Sequence, residues 1–414
     1  MHRSVMVGSL LLFYATNATA QTLPLPPPDR DDTKEQAPFV WHPSFGLTSL
    51  GYDSNVFNLP QQQQSTAPQT QTQNGDWVAS LAAGLAPVWD AGKVKLSADT
   101  GLVYNYFQKF TTERGVDAKA RGQMDIPIER VRLHFGGGYA NLRQRVNYEI
   151  DQRARRSEND LTGGIDVALG GRTTLGLGVR RAVVRFADDE PLTQTLRETL
   201  NRQERTAAAS LEYAVTPFTS LFVTGDRGTH RFDLSPGRNG NSGGVSGGFT
   251  FSPDAVVGGQ LSVGWRRITV SQPLIPNFAG LAWSGDLSTV IGTSTRLGIR
   301  GKRDVAFSSD ELSPYYVQTT VGVGLTQALS DGWQVGARAD RAWLKYAHAI
   351  QVGTPDYLET VNVIGGQISY RFPGGFRLGL EVESQQRRAS SGAPGRAYRT
   401  LRTYTVISKS IGTS

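Results

Sequence analysis

The feature that most constrains the fold is an alternation of apolar and polar residues that recurs from residue 44 to the end of the chain. In the segment 93–99, for example, Val94, Leu96 and Ala98 alternate with lysine, serine and aspartate. Successive side chains of a β-strand point to opposite faces, so each such run predicts a strand with one apolar and one polar face. No helical period separates the runs. The chain is therefore predicted to be all-β.

Eight tight turns and nine longer connections divide this region. The tight turns carry Gly, Pro, Asp or Ser, which favour chain reversal, and they fall at 90–92, 127–130, 170–172, 216–217, 252–254, 292–294, 330–332 and 373–375. The longer connections are polar and include 55–75, 144–157, 187–203 and 347–358. Alternating short and long connections are typical of an up-and-down barrel. The count gives eighteen strands and places both chain ends on the short-turn side.

Two features favour a membrane barrel over a soluble sandwich. Trp77 and Trp89 share one apolar face, as do Trp333 and Trp343, at a spacing that climbs roughly 25 Å, the height of an outer-membrane apolar band. Eighteen strands also exceed what one open sheet holds comfortably. We therefore predict a transmembrane antiparallel up-and-down β-barrel of about 18 strands over residues 43–414.

The N-terminal residues predict an exported protein. Residues 1–20 have a basic start at His2 and Arg3, a short apolar run, and a small-residue cleavage site, which together predict a signal peptide. Residues 21–42 are Pro-rich and charged, and we interpret them as an extended periplasmic leader. The predicted location is the outer membrane of a Gram-negative bacterium, with both termini in the periplasm.

Basic residues are frequent on the polar parity, which faces the lumen of the predicted barrel. The lumen candidates are Lys93, Lys95, Lys119, Arg121, Arg132, Arg266, Arg296, Arg300, Lys302, Arg338 and Arg377. Acids share this parity, namely Asp99, Asp117, Asp125, Asp166, Asp286, Asp304, Asp340 and Glu381. Two interpretations stay open: a salt-bridged ladder that holds the wall together, or a constriction that attracts anions. The formal net charge of +7 suggests anionic ligands or lipids, or simply basic loops.

One predicted strand breaks the alternation. In the segment 173–186 the apolar parity changes between Val179 and Val184. A bulge at Arg180 and Arg181 would shift the parity in this way, and so would emergence of the strand from the membrane.

Several kinds of chemistry are not expected. The chain has no cysteine, and none of its five histidines stands at metal-ligand spacing from another. His230 lies at a strand rim beside Thr229 and is not expected to be catalytic, and the glycine run 136–138 lacks the Lys-Ser and the helix that follow in a phosphate-binding loop. We predict no catalytic residue, no metal, no cofactor and no nucleic-acid partner.

A short motif on the first strand carries a family resemblance. Residues 50–57 read LGYDSNVF and follow a Pro-rich leader. This motif resembles the signature of the β-barrel porin 2 family of outer-membrane proteins, with Asp53, Ser54 and Asn55 at the matching positions. The resemblance implies a role in exopolysaccharide synthesis and export, alongside periplasmic polysaccharide export proteins and an anionic polysaccharide. It brings no catalytic residue with it.

The preferred functional hypothesis is therefore an outer-membrane barrel associated with exopolysaccharide export. The alternatives are a general or anion-preferring diffusion porin, and a plugged barrel that acts as a surface scaffold. In each case the expected partners include outer-membrane lipid, lipopolysaccharide and the barrel-assembly machinery.

Overall fold

Eighteen antiparallel strands pair in chain order, and the first strand pairs with the last, so the sheet closes on itself. The computed structural model describes residues 39–60, 74–151, 153–187, 191–273, 275–310, 313–330, 332–346, 357–390 and 396–410. The prediction of an all-β, eighteen-strand barrel is confirmed. Among the described residues, no helix combines the length and apolarity that a membrane crossing requires.

The strands are 12 to 16 residues long and are joined alternately by short turns and long loops. Their bounds are β1 Phe39–Asp53, β2 Asp76–Asp90, β3 Lys95–Phe107, β4 Gly115–Ile128, β5 Val131–Gln144, β6 Ala154–Ala168, β7 Thr173–Phe186, β8 Arg202–Thr216, β9 Thr219–Phe232, β10 Gly240–Phe251, β11 Val257–Val270, β12 Phe278–Ile291, β13 Thr295–Phe307, β14 Tyr315–Ser330, β15 Trp333–Tyr346, β16 Leu358–Arg371, β17 Phe376–Ala389 and β18 Tyr398–Ser410. An α-helix, α1 (Pro191–Leu200), lies in the loop between β7 and β8.

The first strand begins at Phe39, inside the segment 21–42 that the sequence analysis assigns to the leader. Phe39 pairs with Trp89 and Trp41 pairs with Pro87, and both aromatic side chains are exposed on the outer surface. The alternation of the barrel wall thus extends four residues upstream of position 43. The signal peptide prediction and the rest of the leader lie outside the described residues.

The apolar parity faces outward along the wall. Leu81, Leu161, Val179 and Ile364 are among the large apolar side chains that are more than half exposed, although each belongs to a strand with both neighbours paired. Exposed apolar side chains on every strand would destabilise a barrel in water, whereas lipid tails accept them. The outer surface is therefore a lipid-facing surface.

The lumen differs between its two ends. At the long-loop end it contains packed apolar clusters, one built on Tyr148, Tyr316, Leu344 and Tyr346 and another on Ile150 together with residues of β7 and α1. At the short-turn end most inward side chains are polar or glycine, although Val40, Val88 and Val290 also face inward. The fold thus includes an apolar core inside the barrel at its long-loop end.

This core explains the parity change in β7. The strand pairs with β6 without any register shift from Ala168↔Thr174 to Arg156↔Phe186, so the bulge suggested at Arg180 and Arg181 is wrong. Val184 and Phe186 instead point inward and are buried in the second cluster, while Arg181 is exposed on the outer surface. The apolar residues of β7 switch from the outward to the inward face because the lumen at the long-loop end is filled by packed side chains instead of water.

Candidate functional site

Seven of the eleven predicted lumen cations form ion pairs with carboxylates on the same face. The pairs are Lys119–Asp99 (3.3 Å), Arg121–Asp160 (4.0 Å), Arg132–Asp166 (3.0 Å), Arg266–Asp226 (3.4 Å), Arg266–Asp304 (3.3 Å), Arg300–Asp340 (2.6 Å), Lys302–Asp304 (3.9 Å), Arg338–Asp340 (3.8 Å) and Arg338–Glu383. The other four, Lys93, Lys95, Arg296 and Arg377, lie at or next to the short turns. The cations therefore line the lumen from its middle to its short-turn end.

Four of these pairs share one construction, in which an arginine and an acid lie on strands separated by a third strand and a glycine lies between them in register. The triads are Arg121–Gly138–Asp160, Arg266–Gly244–Asp226, Arg300–Gly322–Asp340 and Arg338–Gly365–Glu383. Without a side chain on the middle strand, the ion pair can cross it. A Cβ atom on Gly322 would lie 2.0 Å from Asp340 Oδ1 and 3.0 Å from Arg300 Nε.

Replacing Gly322 with alanine is expected to break the Arg300–Asp340 pair and to destabilise the barrel by about 1–3 kcal/mol, because the buried Asp340 loses its hydrogen bonds to Arg300 and keeps only Arg338, 3.8 Å away. The measurement is the temperature at which the folded, heat-modifiable form is lost on gels. Gly324→Ala is the matched control, since Gly324 lies on the same face of β14 and its nearest atom to an added Cβ is 4.0 Å away. Equal midpoints for the two variants would contradict the crossing role of Gly322.

In two of these pairs the arginine is far more exposed to the lumen than its acid. The Arg121 side chain is 69% exposed and that of Asp160 is 14% exposed, and the corresponding values for Arg300 and Asp340 are 51% and 3%. In these two pairs the carboxylates thus lie against the wall and the guanidinium groups face the water, whereas Lys119 and Asp99 are about equally exposed, at 61% and 62%. At Arg121 and Arg300 the surface that a solute meets is therefore more cationic than a count of charges implies.

These two arginines face each other across the lumen. Arg121 lies halfway along β4 and Arg300 halfway along β13, and the two strands are nine positions apart in a ring of eighteen. Lys119 on β4 and Lys302 on β13 lie next to them on the same faces. The middle of the lumen therefore carries cationic groups on opposite walls.

Above this level, the loop between β5 and β6 crosses the lumen. Its residues 145–151, here called the inward segment, reach strands that lie on the other side of the ring. Tyr148 packs with Tyr316 of β14 and Leu344 of β15. Arg387 of β17 donates hydrogen bonds to Asp151 at 2.9 Å and to the carbonyl oxygen of Glu149 at 3.2 Å. The inward segment therefore fills much of the long-loop end of the lumen.

Buried charges hold the inward segment in place. Arg387 also forms an ion pair with Glu359 of β16, and both side chains are fully buried. Arg396, in the loop between β17 and β18, binds Glu359 at 3.0 Å and donates to Tyr346 at 3.1 Å. Charges buried in this way are stable only when they stay paired, so loss of one partner is costly.

Glu149 lies at the centre of this cluster, with no exposure to water. Its carboxylate accepts hydrogen bonds from the Ser308 hydroxyl and, at 3.2 Å, from the Ser309 backbone N–H of the loop between β13 and β14. Burial raises the pKa of Glu149 to about 7, although the Ser308 hydrogen bond and the Arg396 and Arg387 charges act in the opposite direction. The group therefore titrates near neutral pH.

The family motif closes the barrel next to this cluster. Asp53 accepts hydrogen bonds from Arg402 Nε at 3.1 Å and Thr400 Oγ1 at 3.0 Å, and so joins β1 to β18. The side chain of Asn55 binds both the N–H and the carbonyl oxygen of Leu59. Arg145 of the inward segment donates to the carbonyl oxygens of Asn55 and Val56.

Ser54 completes this seam, because its hydroxyl accepts a hydrogen bond of 2.7 Å from the Leu401 N–H. The motif residues thus contact the closing strand and the inward segment, and neither contact could be read from the sequence. The only sequence sign of this closure is an aspartate next to a turn-forming Ser-Asn pair at the end of the first strand.

A Ser-His-Glu arrangement in the wall involves residues that the sequence analysis did not connect. His230 Nε2 lies 3.0 Å from Ser242 Oγ, and His230 Nδ1 lies 4.0 Å from Glu204. Glu204 is bound instead by Arg202 at 2.6 Å, and the His230 ring packs edge-on against Phe307. A catalytic triad needs the acid in hydrogen-bonding contact with the histidine. This arrangement is therefore interpreted as wall packing.

A closed eighteen-strand barrel with an apolar exterior and a charged lumen defines an outer-membrane β-barrel of the porin class. The chain belongs to the family described as "Putative beta-barrel porin 2", whose model matches residues 37–407. The resemblance noted on the first strand is thereby confirmed, and the protein is one of the Gram-negative outer membrane. A search of curated sequences gave no significant match.

One solved structure supports the fold, and two others are similar at lower TM-scores. A BenF-like porin from Pseudomonas fluorescens Pf-5 is similar at a TM-score of 0.51 and 12% identity, covering 92% of this chain and 99% of that one. The outer-membrane protein OpdK from Pseudomonas aeruginosa gives 0.48 at 11% identity, with 90% and 99% covered. The siderophore receptor PirA from Pseudomonas aeruginosa gives 0.42 at 9% identity, with 90% and 80% covered.

Proposed function

We propose that this barrel is an anion-preferring channel of the diffusion-porin type, narrowed at its long-loop end by the inward segment. The observation that carries the proposal is the orientation of the ion pairs in the middle of the lumen. Arg121 and Arg300 face the water from opposite walls, while Asp160 and Asp340 lie behind them. Cations that line a narrow passage raise the local concentration of anions.

The inward segment supports a narrow passage rather than a wide one. An eighteen-strand wall encloses an aqueous channel unless loops fold into it. Here the segment brings Tyr148, Glu149 and Ile150 into the lumen, where all three side chains are buried. With the inward segment in this position, the channel is expected to pass small solutes and to exclude bulky ones.

Charge preference is tested by the reversal potential of the purified protein in planar bilayers across a potassium chloride gradient. Wild type is expected to prefer chloride, and the double variant Arg121→Gln with Arg300→Gln is expected to lose most of this preference, because both lumen cations are neutralised. Arg341→Gln is the matched control, since Arg341 is exposed on the outer surface beside Trp343. Preference for potassium in wild type, or an unchanged potential in the double variant, would contradict the proposal.

Export of exopolysaccharide is a more specific hypothesis, and the family resemblance alone supports it. A polymer would need a continuous route through the long-loop end, where Tyr316, Tyr346 and Glu359 are buried. Export would thus require the inward segment to leave the lumen. Polymer secretion that is unchanged after deletion of the gene would reject this hypothesis while leaving the channel proposal intact.

A plugged barrel that acts as a surface scaffold predicts no ion conductance under any condition. The conductance of wild type and of variants with a released inward segment therefore separates the scaffold from the channel. Any reproducible conductance with anion preference favours the channel.

A further inference from the structure

Among the arginines that point outward, away from the lumen, at the long-loop end of the barrel, four are grouped on strands β7, β8, β9 and β11. Arg181 of β7, Arg205 of β8, Arg227 of β9 and Arg267 of β11 are all exposed and are here called the outer arginine patch. Arg181 and Arg205 are directly opposite each other across the ladder. Arg227 and Arg267 lie on either side of Gly243, which is paired with both.

The described part of the chain does not balance the positive charge of this patch. Among the residues that the structure describes, no carboxylate lies within 4.0 Å of any of the four guanidinium groups, whereas most arginines of the lumen have one. Like charges placed directly opposite on neighbouring strands destabilise a sheet. The Arg181–Arg205 pair therefore lowers the stability of the bare protein and calls for an external anion.

The surroundings of the patch define where that anion lies. In the row of paired residues that contains Arg227 and Arg267, the other outward positions include Ala207 and Gly243, which leave room above the sheet. One row closer to the barrel centre, the outward residues include Leu177, Val245 and Trp265. Moving from the long-loop end towards the barrel centre, the outer surface thus changes from arginine side chains to mainly apolar side chains within a few residues.

Such a change marks the boundary between lipid headgroups and lipid tails. Trp265 is more than half exposed, and an exposed tryptophan at this boundary is typical of barrel interfaces. Long loops of outer-membrane barrels lie on the outer side, so the headgroups in question belong to the outer leaflet. Guanidinium groups bind phosphate through two parallel hydrogen bonds, and clusters of them at a membrane surface recognise phosphorylated headgroups.

We propose that the outer arginine patch is a binding site for the phosphate groups of a lipid of the outer leaflet, namely the phosphorylated glycolipid lipid A. One phosphate bridges Arg181 and Arg205, and a second occupies the space over Gly243 between Arg227 and Arg267. The acyl chains then lie against the apolar row below. This site is separate from the lumen and does not depend on what the channel carries.

The proposal is tested with the folded, full-length mature barrel in detergent. The measurement is the midpoint of the heat-induced mobility shift with added lipid A, with dephosphorylated lipid A, with phosphatidylglycerol and with inorganic phosphate. Lipid A is expected to raise the midpoint of wild type, and the other three additives are expected to have little effect. Arg181→Gln with Arg205→Gln is expected to need about tenfold more lipid A for the same shift.

A second readout separates binding from a structural role. Without lipid, the double variant is expected to be at least as stable as wild type, because a repulsive pair has been removed. Arg341→Gln with Arg388→Gln serves as control, since both residues are outward arginines on β15 and β17, outside the patch. This control is expected to keep the full response to lipid A.

Four results would overturn the proposal: no stabilisation of wild type by lipid A, equal stabilisation by dephosphorylated lipid A or by inorganic phosphate, greater stabilisation by phosphatidylglycerol, or an undiminished response in the patch variant. The first result would show that lipid A does not bind. The second and third would show that the stabilisation comes from acyl chains, from a free anion or from another lipid. The fourth would show that Arg181 and Arg205 are not part of the site. Loss of lipid-free stability in the patch variant would likewise assign the arginines a structural role.

Discussion

Replacement of Arg387 by alanine is expected to raise the single-channel conductance several-fold. Arg387 is fully buried and joins Glu359 of the wall to Asp151 and Glu149 of the inward segment. Removal of one partner from a buried ion pair costs about 3–5 kcal/mol, because the other charges stay buried without compensation. Release of the inward segment from β17 lets water reach these charges, so the released conformation gains population and the channel widens.

The measurement is the distribution of single-channel conductances in planar bilayers, with heat modifiability as a check that the barrel is folded. Arg388→Ala is the matched control, because Arg388 is the next residue of β17 and is exposed on the outer surface, 3.3 Å from Gln386. The control is expected to conduct like wild type. A folded Arg387→Ala protein with unchanged conductance would show that the inward segment does not limit the passage.

The strand pattern was predictable because the lipid and the lumen impose opposite requirements on alternate residues. Outward residues such as Leu161 must be apolar and inward residues such as Arg121 must tolerate water, so the strands can be read from the alternation of residue types. The eight turns are equally local, since reversal depends on a few Gly, Pro, Asp and Ser residues. The strand count follows from these two features.

The core at the long-loop end was not predictable in this way. Where the lumen is filled by loops, inward residues such as Val184 become as apolar as outward ones, and the alternation that identifies the faces is lost. The contacts that create the core join residues far apart in sequence, such as Glu149 and Arg387. One local sign was present, because the polar loop 144–157 contains Tyr148 and Ile150, which a solvated loop does not require.

Parity predicted which charges face the lumen, but it could not show how they are arranged. Whether Arg300 is a free cation or part of a ladder depends on Asp340, which is 40 residues away and two strands across. The side-chain-free position at Gly322 makes that contact possible. Once strand register is known, a search for arginine, glycine and acid on three successive strands recovers all four triads.

Conductance is also expected to depend on pH, with Glu149 as the sensor. Burial raises the pKa of Glu149 from an ordinary value of 4.5 to about 7 when the inward segment is docked. The docked conformation therefore binds a proton more tightly than the released one, and docking is favoured most below pH 4.5. As pH rises from 4.5 through 7, this contribution is lost, so the released population and the conductance increase.

The charged groups around Glu149 do not reverse the direction of its pKa shift. Arg387 and Arg396 attract its ionised form, yet desolvation is the larger effect, and burial raises the pKa of Asp151 in the same segment as well. Glu149→Gln is expected to conduct at the low, acid-like level at all pH values between about 5 and 8, since glutamine resembles the protonated carboxyl group. Asp254→Asn, at an exposed short turn on the opposite end, is expected to keep the pH response of wild type. A wild-type conductance that falls as pH rises, or a response that survives in Glu149→Gln, would mean that another group controls the docking of the inward segment.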